Sequence, residues 1–170
     1  MPYPDRVADA VLLAGPLYHL TSRADRLTAL REAARVLRPG GVLVAAAISR
    51  FASLYDGLAR GMLARPAFQA IVERDLAEGQ HRDDERRPGW FTTAFFHHPD
   101  ELRAEVVDTG FTDVRLVAVE GPGWVADDLA AWLDDGSRRA TLLRFLAAVE
   151  SEPSTMGASP HLLAVSRAPR

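Results

Sequence analysis

The 170-residue sequence contains no cysteine, which excludes disulfides, thiol nucleophiles and thiolate-bound metals and fits a reducing compartment. Lysine is absent too, so all 20 basic residues are arginine, whose planar guanidinium suits two-pronged contacts with carboxylates and phosphates. With 23 acidic residues the net charge is -3, and no segment presents a basic face; nucleic acid is therefore not an expected partner. No run of 18 apolar residues occurs, which rules out a membrane-spanning helix on length, and the opening MPYPDRVAD lacks a secretory pattern. The expectation from these absences is a soluble, cytoplasmic protein without membrane association.

What is present is an ordinary core for one domain over residues 1–170, with 48% apolar content. Short apolar runs alternate with helical patterns, the order that gives a parallel sheet with covering helices. Residues 10–15 (AVLLAG) and 42–48 (VLVAAAI) read as strands, and their continuous apolarity predicts burial on both faces. Between them, Leu27, Leu30, Ala34 and Leu37 recur at helical spacing over residues 22–37, and Arg38-Pro39-Gly40-Gly41 supplies the stop.

Residues 50–98 break the alternation. Two helical stretches, 51–63 and 67–78, lead into the charged run GQHRDDERRPGW, and the whole segment reads as a helical, lid-like insertion. In that run His81, Asp83, Asp84 and Glu85 read as solvated loop charges. Pro99, Asp100 and Glu101 then open a helix to Thr109, because proline fits a first helical position and acidic side chains suit the positive end of the helix dipole. A third strand over 114–119, two helices between 125 and 150 and a short strand over 161–165 complete the chain. Leu142, Leu143, Leu146 and Val149 form an apolar stripe expected to be core.

Three stretches, PYPDRVADAVLLAGPLYHL, REAARVLRPGGVLVAAA and ELRAEVVDTGFTDVRLV, together resemble the second half of class I S-adenosylmethionine-dependent methyltransferases. The second is the most specific, a helix ending in Leu-Arg-Pro-Gly-Gly directly before a β run. The resemblance implies an α/β fold, here part of a doubly wound Rossmann-like sheet of about four strands. It also implies S-adenosylmethionine as cofactor and a small-molecule methyl acceptor. The family's glycine-rich turn after its first strand, which approaches the cofactor, has no counterpart in this sequence. The expected chain is thus the acceptor-binding, C-terminal half of such an enzyme, inactive alone; the competing expectation is a truncated, non-catalytic remnant or oligomerising module. Since the resemblance puts residues 10–15 mid-sheet, their outer edge is expected to pair with a second copy or with a separate N-terminal half.

Ligands in open α/β sheets bind beyond the carboxyl ends of the strands. On that basis the resemblance places Ala14, Gly15 and Leu17 beside the methionine part of the cofactor, with Tyr18 and His19 facing the acceptor pocket. His19 is the candidate proton acceptor, since imidazole titrates near neutrality; the simpler alternative is that Tyr18 and His19 merely begin a helix. Arg50 could hold an anionic acceptor, and Phe51 reaches the same rim. Trp90, Phe91, Phe96 and His97 fall in an aromatic block suited either to a lid over an organic substrate or to the insertion's own small core. Metal binding is not expected, because His97, His98 and Glu101 do not share a helix face as zinc ligands require. Ser49, Ser53 and Thr92 lack the Gly-x-Ser-x-Gly elbow of hydrolases.

Overall fold

The computed structural model describes residues 3–170. The elements run β1 (Ala8–Leu13), α1 (Pro16–His19), α2 (Arg23–Val36), β2 (Leu37–Ser49), α3 (Ala52–Ala59), α4 (Pro66–Glu78), β3 (Gln80–His81), β4 (Ala94–His97), α5 (Pro99–Asp108), β5 (Thr112–Ala118), α6 (Leu129–Asp134), α7 (Gly136–Val149), α8 (Pro153–Met156) and β6 (His161–Arg167). The four expected strands are all present, as β1, β2, β5 and β6. Two short ones, β3 and β4, arise inside residues 50–98, where the sequence pattern shows no strand.

β2 is the spine of the mixed sheet. Along one side it pairs in parallel with β1, from Ala10↔Val42 to Leu13↔Ala45, and further along with β4 through Ile48↔Phe96 and Ser49↔His97. On its other side runs β6, antiparallel from Val42↔Arg167 to Ile48↔His161, and β5 pairs antiparallel with β6. β3 pairs with β4 and closes that flank. Among the described residues, β1 pairs with β2 alone.

The core lies where α2 and α5 pack on the sheet. Leu17, Leu30, Leu43, Leu102 and Leu162 are fully buried there, and each such side chain stabilises by about 1.5–3 kcal/mol relative to exposure. Burial alternates along β2, Leu43, Ala45 and Ala47 facing this core while Val42, Val44 and Ala46 are half-buried. The expectation of burial on both faces therefore fails, most clearly at Leu12, which is 68% exposed. Among the described residues β1 lies at the margin of the sheet, and its residues Ala8, Val11 and Leu13 are the ones that meet the core.

Three other expectations change. Leu37 to Gly41 does not terminate a helix in isolation; it belongs to β2, which slips register against β1 between Ala8 and Ala10 and places Gly40 at φ 76°. Gly40 also donates its N–H to the Ala168 carbonyl (3.2 Å), so the bulge ties the segment after β6 to the sheet. The stripe on α7 is not core: Leu143 is exposed, Phe145 is 60% exposed, and no α7 residue is fully buried. Leu142, Leu146 and Val149 are half-buried, Leu146 against Gly121 and Gly123. Finally, His81 and Asp83 are buried rather than solvated, for the reason given next.

Candidate functional site

The carboxyl ends of β1 and β2 and the start of β6 meet at one edge of the sheet, and residues 50–98 fold over it. Proline at 66 starts α4, and its missing N–H is no loss at a helix start. Gly79, at φ 71°, ends the helix and donates its N–H to the Asp75 carbonyl (2.8 Å). The chain then turns straight into β3, and the Gly79 carbonyl accepts from Phe96 N (2.7 Å). Gln80 donates to the Thr21 carbonyl (3.1 Å), which ties the segment to the loop after α1.

Between this segment and the sheet lies a cavity of about 610 Å³, within the usual size of small-molecule sites. Its walls are aromatic. Phe68 and Trp90 meet edge to face at 5.3 Å, Tyr55 and Trp124 lie 5.0 Å apart, and Phe91 and Phe96 lie 6.2 Å apart; all six line the space. Polar groups enter at three places. Asp56 and Arg60 pair at the rim (3.1 Å). His161, at the start of β6, faces the cavity from the sheet, and Ser53 and His81 enter from the α3 and β3 side.

Ser53 and His81 share one buried partner. Ser53 Oγ donates to Asp75 Oδ2 (2.6 Å), and His81 Nδ1 lies 2.7 Å from the same oxygen. Asp75 is fully buried and His81 is 3% exposed. The His81 ring stacks on Phe96, centroids 4.6 Å apart at 12°. Burying a carboxylate requires such partners, and the helix end at Gly79 brings His81 back onto Asp75. The adjacent Asp83 is drawn inward likewise, accepting from Arg87 N and pairing with the Arg87 guanidinium (both 2.5 Å). Sequence spacing alone gave no sign of this, because the link from Ser53 to Asp75 spans two helices.

The residues expected to bind substrate divide. Trp90, Phe91 and Phe96 line the cavity; Arg50, Phe51 and His97 lie outside it. Arg50 is buried, donates from Nε to the Phe96 carbonyl (2.9 Å) and pairs with Glu101. Phe51 packs on Gly157 and edge-on to His98. His97 is fully enclosed, its Nε2 3.3 Å from Glu105 Oε2. Burial pushes the His97 imidazole below its usual value, against the pull of Glu105. Burial alone would raise Glu105, but hydrogen bonds from His97 and Arg26 bring it down to about 2.

At the end of β1, Ala14 is exposed, Gly15 adopts φ 136°, and Leu17 is buried in the core. Tyr18 is half-buried against Ile48, Ala94 and Phe96, so it touches the back of the cavity wall. His19 is exposed and tilted against Tyr18 at 4.6 Å. Both belong to α1, a single turn. Among the described residues there is no group of three or more potential metal ligands, and no helix long and apolar enough to cross a membrane.

His161 Nδ1 lies 2.5 Å from Glu120 Oε1, and Glu120 Oε2 accepts from Ser159 Oγ (2.8 Å) and His161 N (3.0 Å). Burial works against ionisation of Glu120, but these bonds hold it at about 2, and the same carboxylate raises His161 above 6.5. The carboxylate's contribution is present above its ordinary 4.5 and is lost as pH falls toward 2. The imidazolium's contribution is present below 6.5 and is lost as pH rises through the raised value. We expect the stability difference between the wild type and His161→Gln to peak between pH 4.5 and 6.5 in urea titrations; a difference flat from pH 4 to pH 9 would refute the pairing.

Compared with known proteins, residues 1–45 match a family model described as a methyltransferase domain. Curated proteins give no match. Solved structures do. An S-adenosylmethionine-dependent methyltransferase, SibL, in its apo form aligns at 22% identity and TM-score 0.51, over 99% of this chain and 33% of that one. One from Methanosarcina mazei aligns at 14% identity and TM-score 0.55, over 99% and 63%. A possible exported protein from Bordetella parapertussis aligns at 14% identity and TM-score 0.50, over 99% and 41%. The chain thus spans between a third and two thirds of the length of these structures, and at such identities the likeness is one of fold.

Proposed function

We propose that this chain, which has the fold of S-adenosylmethionine-dependent methyltransferases and matches their domain model over residues 1–45, forms the acceptor-binding part of a small-molecule methyltransferase site. The observation that carries the reading is the aromatic cavity at the carboxyl edge of the sheet, where ligands of open α/β folds bind. Residues 50–98 act as its lid, and Trp90, Phe91 and Phe96 hold the acceptor. Tyr18 and His19 stand at the seam between this cavity and the end of β1.

The cofactor's fit is tested by that strand end. Ala14 is exposed at the strand end, Gly15 turns the chain at φ 136° beneath Tyr18, and buried Leu17 anchors the turn. These residues suit one wall of a cofactor site, beside the edge of β1 that is unpaired among the described residues. When bound, S-adenosylmethionine supplies a methyl group already activated on a sulfonium, so the protein's task is mainly proximity and alignment. Calorimetric titration with S-adenosylmethionine tests the assignment: binding in the micromolar to millimolar range is expected, and none at millimolar ligand would remove the cofactor from this chain.

A second reading, a non-catalytic strand-pairing module, is favoured by one observation. The outer edge of β1 is unpaired among the described residues, and Leu12 is exposed beside it. Such an edge is a template for another strand, supplied by a second copy or by a separate polypeptide. Under this reading sedimentation gives an assembled species and calorimetry gives no cofactor binding.

A further inference from the structure

We infer that His81, held by Asp75, is the proton acceptor of the aromatic cavity and that the ligand it selects is a hydroxylated aromatic compound. The inference names the acceptor class of the site proposed above and rests on that reading for its reaction, though not for its binding chemistry.

Among the buried side chains, His81 Nε2 has no hydrogen-bond partner, while Nδ1 across the ring is 2.7 Å from Asp75 Oδ2. A carboxylate only accepts, so Nδ1 carries a hydrogen, and in the neutral form of the ring Nε2 is then a bare lone pair. Buried polar atoms are nearly always paired, and an exception calls for a ligand or a role. His81 lines the cavity, and the rings around it, Phe96 stacked at 4.6 Å and Phe91 at 5.7 Å, are cavity walls as well. His81 Nε2 itself is buried in the cavity wall; an aromatic ring entering this space has wall rings for its faces, and on this inference that nitrogen is the acceptor at its edge. A hydroxyl on that ring is the group that satisfies it.

Asp75 is a positioning residue. Its Oδ2 accepts from Ser53 and holds Nδ1–H, fixing tautomer and ring plane together. Ser53 donates to Asp75, not to His81, so this is not a nucleophile activated by a base. When the bound hydroxyl gives up its proton, the O–H bond breaks, its electron pair remains on oxygen, and the proton forms an N–H bond at His81 Nε2. The resulting imidazolium is already paired with Asp75. Exposed His19 has no such setting.

The probes are 2-naphthol and 2-methoxynaphthalene, which share a ring system and differ in the hydroxyl hydrogen. Binding is read by quenching of tryptophan emission, since Trp90 and Trp124 line the cavity. The wild-type protein is expected to bind the naphthol about tenfold more tightly, the scale of one hydrogen bond to an otherwise unpaired buried acceptor. In His81→Phe and in Asp75→Asn the ratio should fall toward one while affinity for the methoxy compound changes less than about threefold, a pattern that a merely structural defect does not give. Equal binding of the two probes by the wild type overturns the inference without recourse to any variant, so a variant that fails to fold leaves it testable. Cofactor binding with no hydroxyl preference sinks this inference alone; hydroxyl preference without cofactor binding sinks the methyltransferase reading and leaves this one standing.

Discussion

Glu105→Gln is expected to lower the stability of the fold by about 3–5 kcal/mol, the usual consequence of removing one partner from a buried ion pair. Glu105 is almost wholly enclosed and takes both prongs of Arg26: Nε donates at 3.1 and 3.0 Å and Nη2 at 2.7 Å. Arg26 is itself buried. Its Nη1 donates to the Leu20 and Thr21 carbonyls (3.0 and 2.9 Å), and its guanidinium lies 3.6 Å over the Phe95 ring. The pair thus joins α2, α5, β4 and the loop after α1. Glutamine keeps the shape and removes the charge, leaving Arg26 uncompensated in a low dielectric. Against a total of roughly 5–15 kcal/mol, thermal unfolding should fall by about 10 °C. A shift below about 2 °C would show that the pair contributes little. Replacing both partners by apolar residues should cost less than the single change, because no lone charge remains. Acid should weaken the wild type by the same route: protection from Glu105 is present above 4.5 and lost toward 2, while the lowered His97 resists a proton that the unfolded chain takes up below 6.5.

This cluster marks where sequence reasoning stops. The helices around residues 23–36 and 99–108 were legible from periodicity, proline and acidic first-turn residues, and the four main strands from apolar runs. Arg26 looked like any surface arginine on an amphipathic helix, since its carboxylate lies 79 positions away. His81 was hidden for a related reason: inside a charged run, neither composition nor spacing separates the buried imidazole from the solvated Arg82, Asp84 and Glu85. The aromatic block was legible as either a substrate wall or a small core, and in the structure it contributes to a packed cluster and to the lining of a cavity. Phe68, Met62 and Val72 pack as a cluster with Trp90 against it, and the same Phe68 and Trp90 face the cavity. The α7 stripe misled because helical spacing records that a face is apolar, not that anything covers it.

Gly79→Ala should be among the most damaging single-methyl additions in the molecule, with an expected loss of about 2–5 kcal/mol from left-handed backbone strain and overpacking combined. A Cβ at Gly79 would stand 2.3 Å from the Phe96 carbonyl oxygen and 2.9 Å from Arg50 Nε. The first is backbone of β4, which cannot move aside without breaking the Phe96 N–H to Gly79 carbonyl bond of 2.7 Å. Gly61 provides the control: its φ of 65° is nearly the same as the 71° of Gly79, yet nothing lies within 4 Å of its missing side chain. Gly61→Ala should therefore carry only the backbone strain, about 1–2 kcal/mol. The difference between the two melting curves isolates the contact between the end of α4 and β4. That contact sets the distance from Asp75 to Phe96, and so the position of the imidazole stacked between them. If Gly79→Ala melts with Gly61→Ala, the close approach is not what fixes His81. If it melts well below it, the glycine required by the turn is also what places the cavity's only buried, unpartnered imidazole nitrogen among the described lining residues.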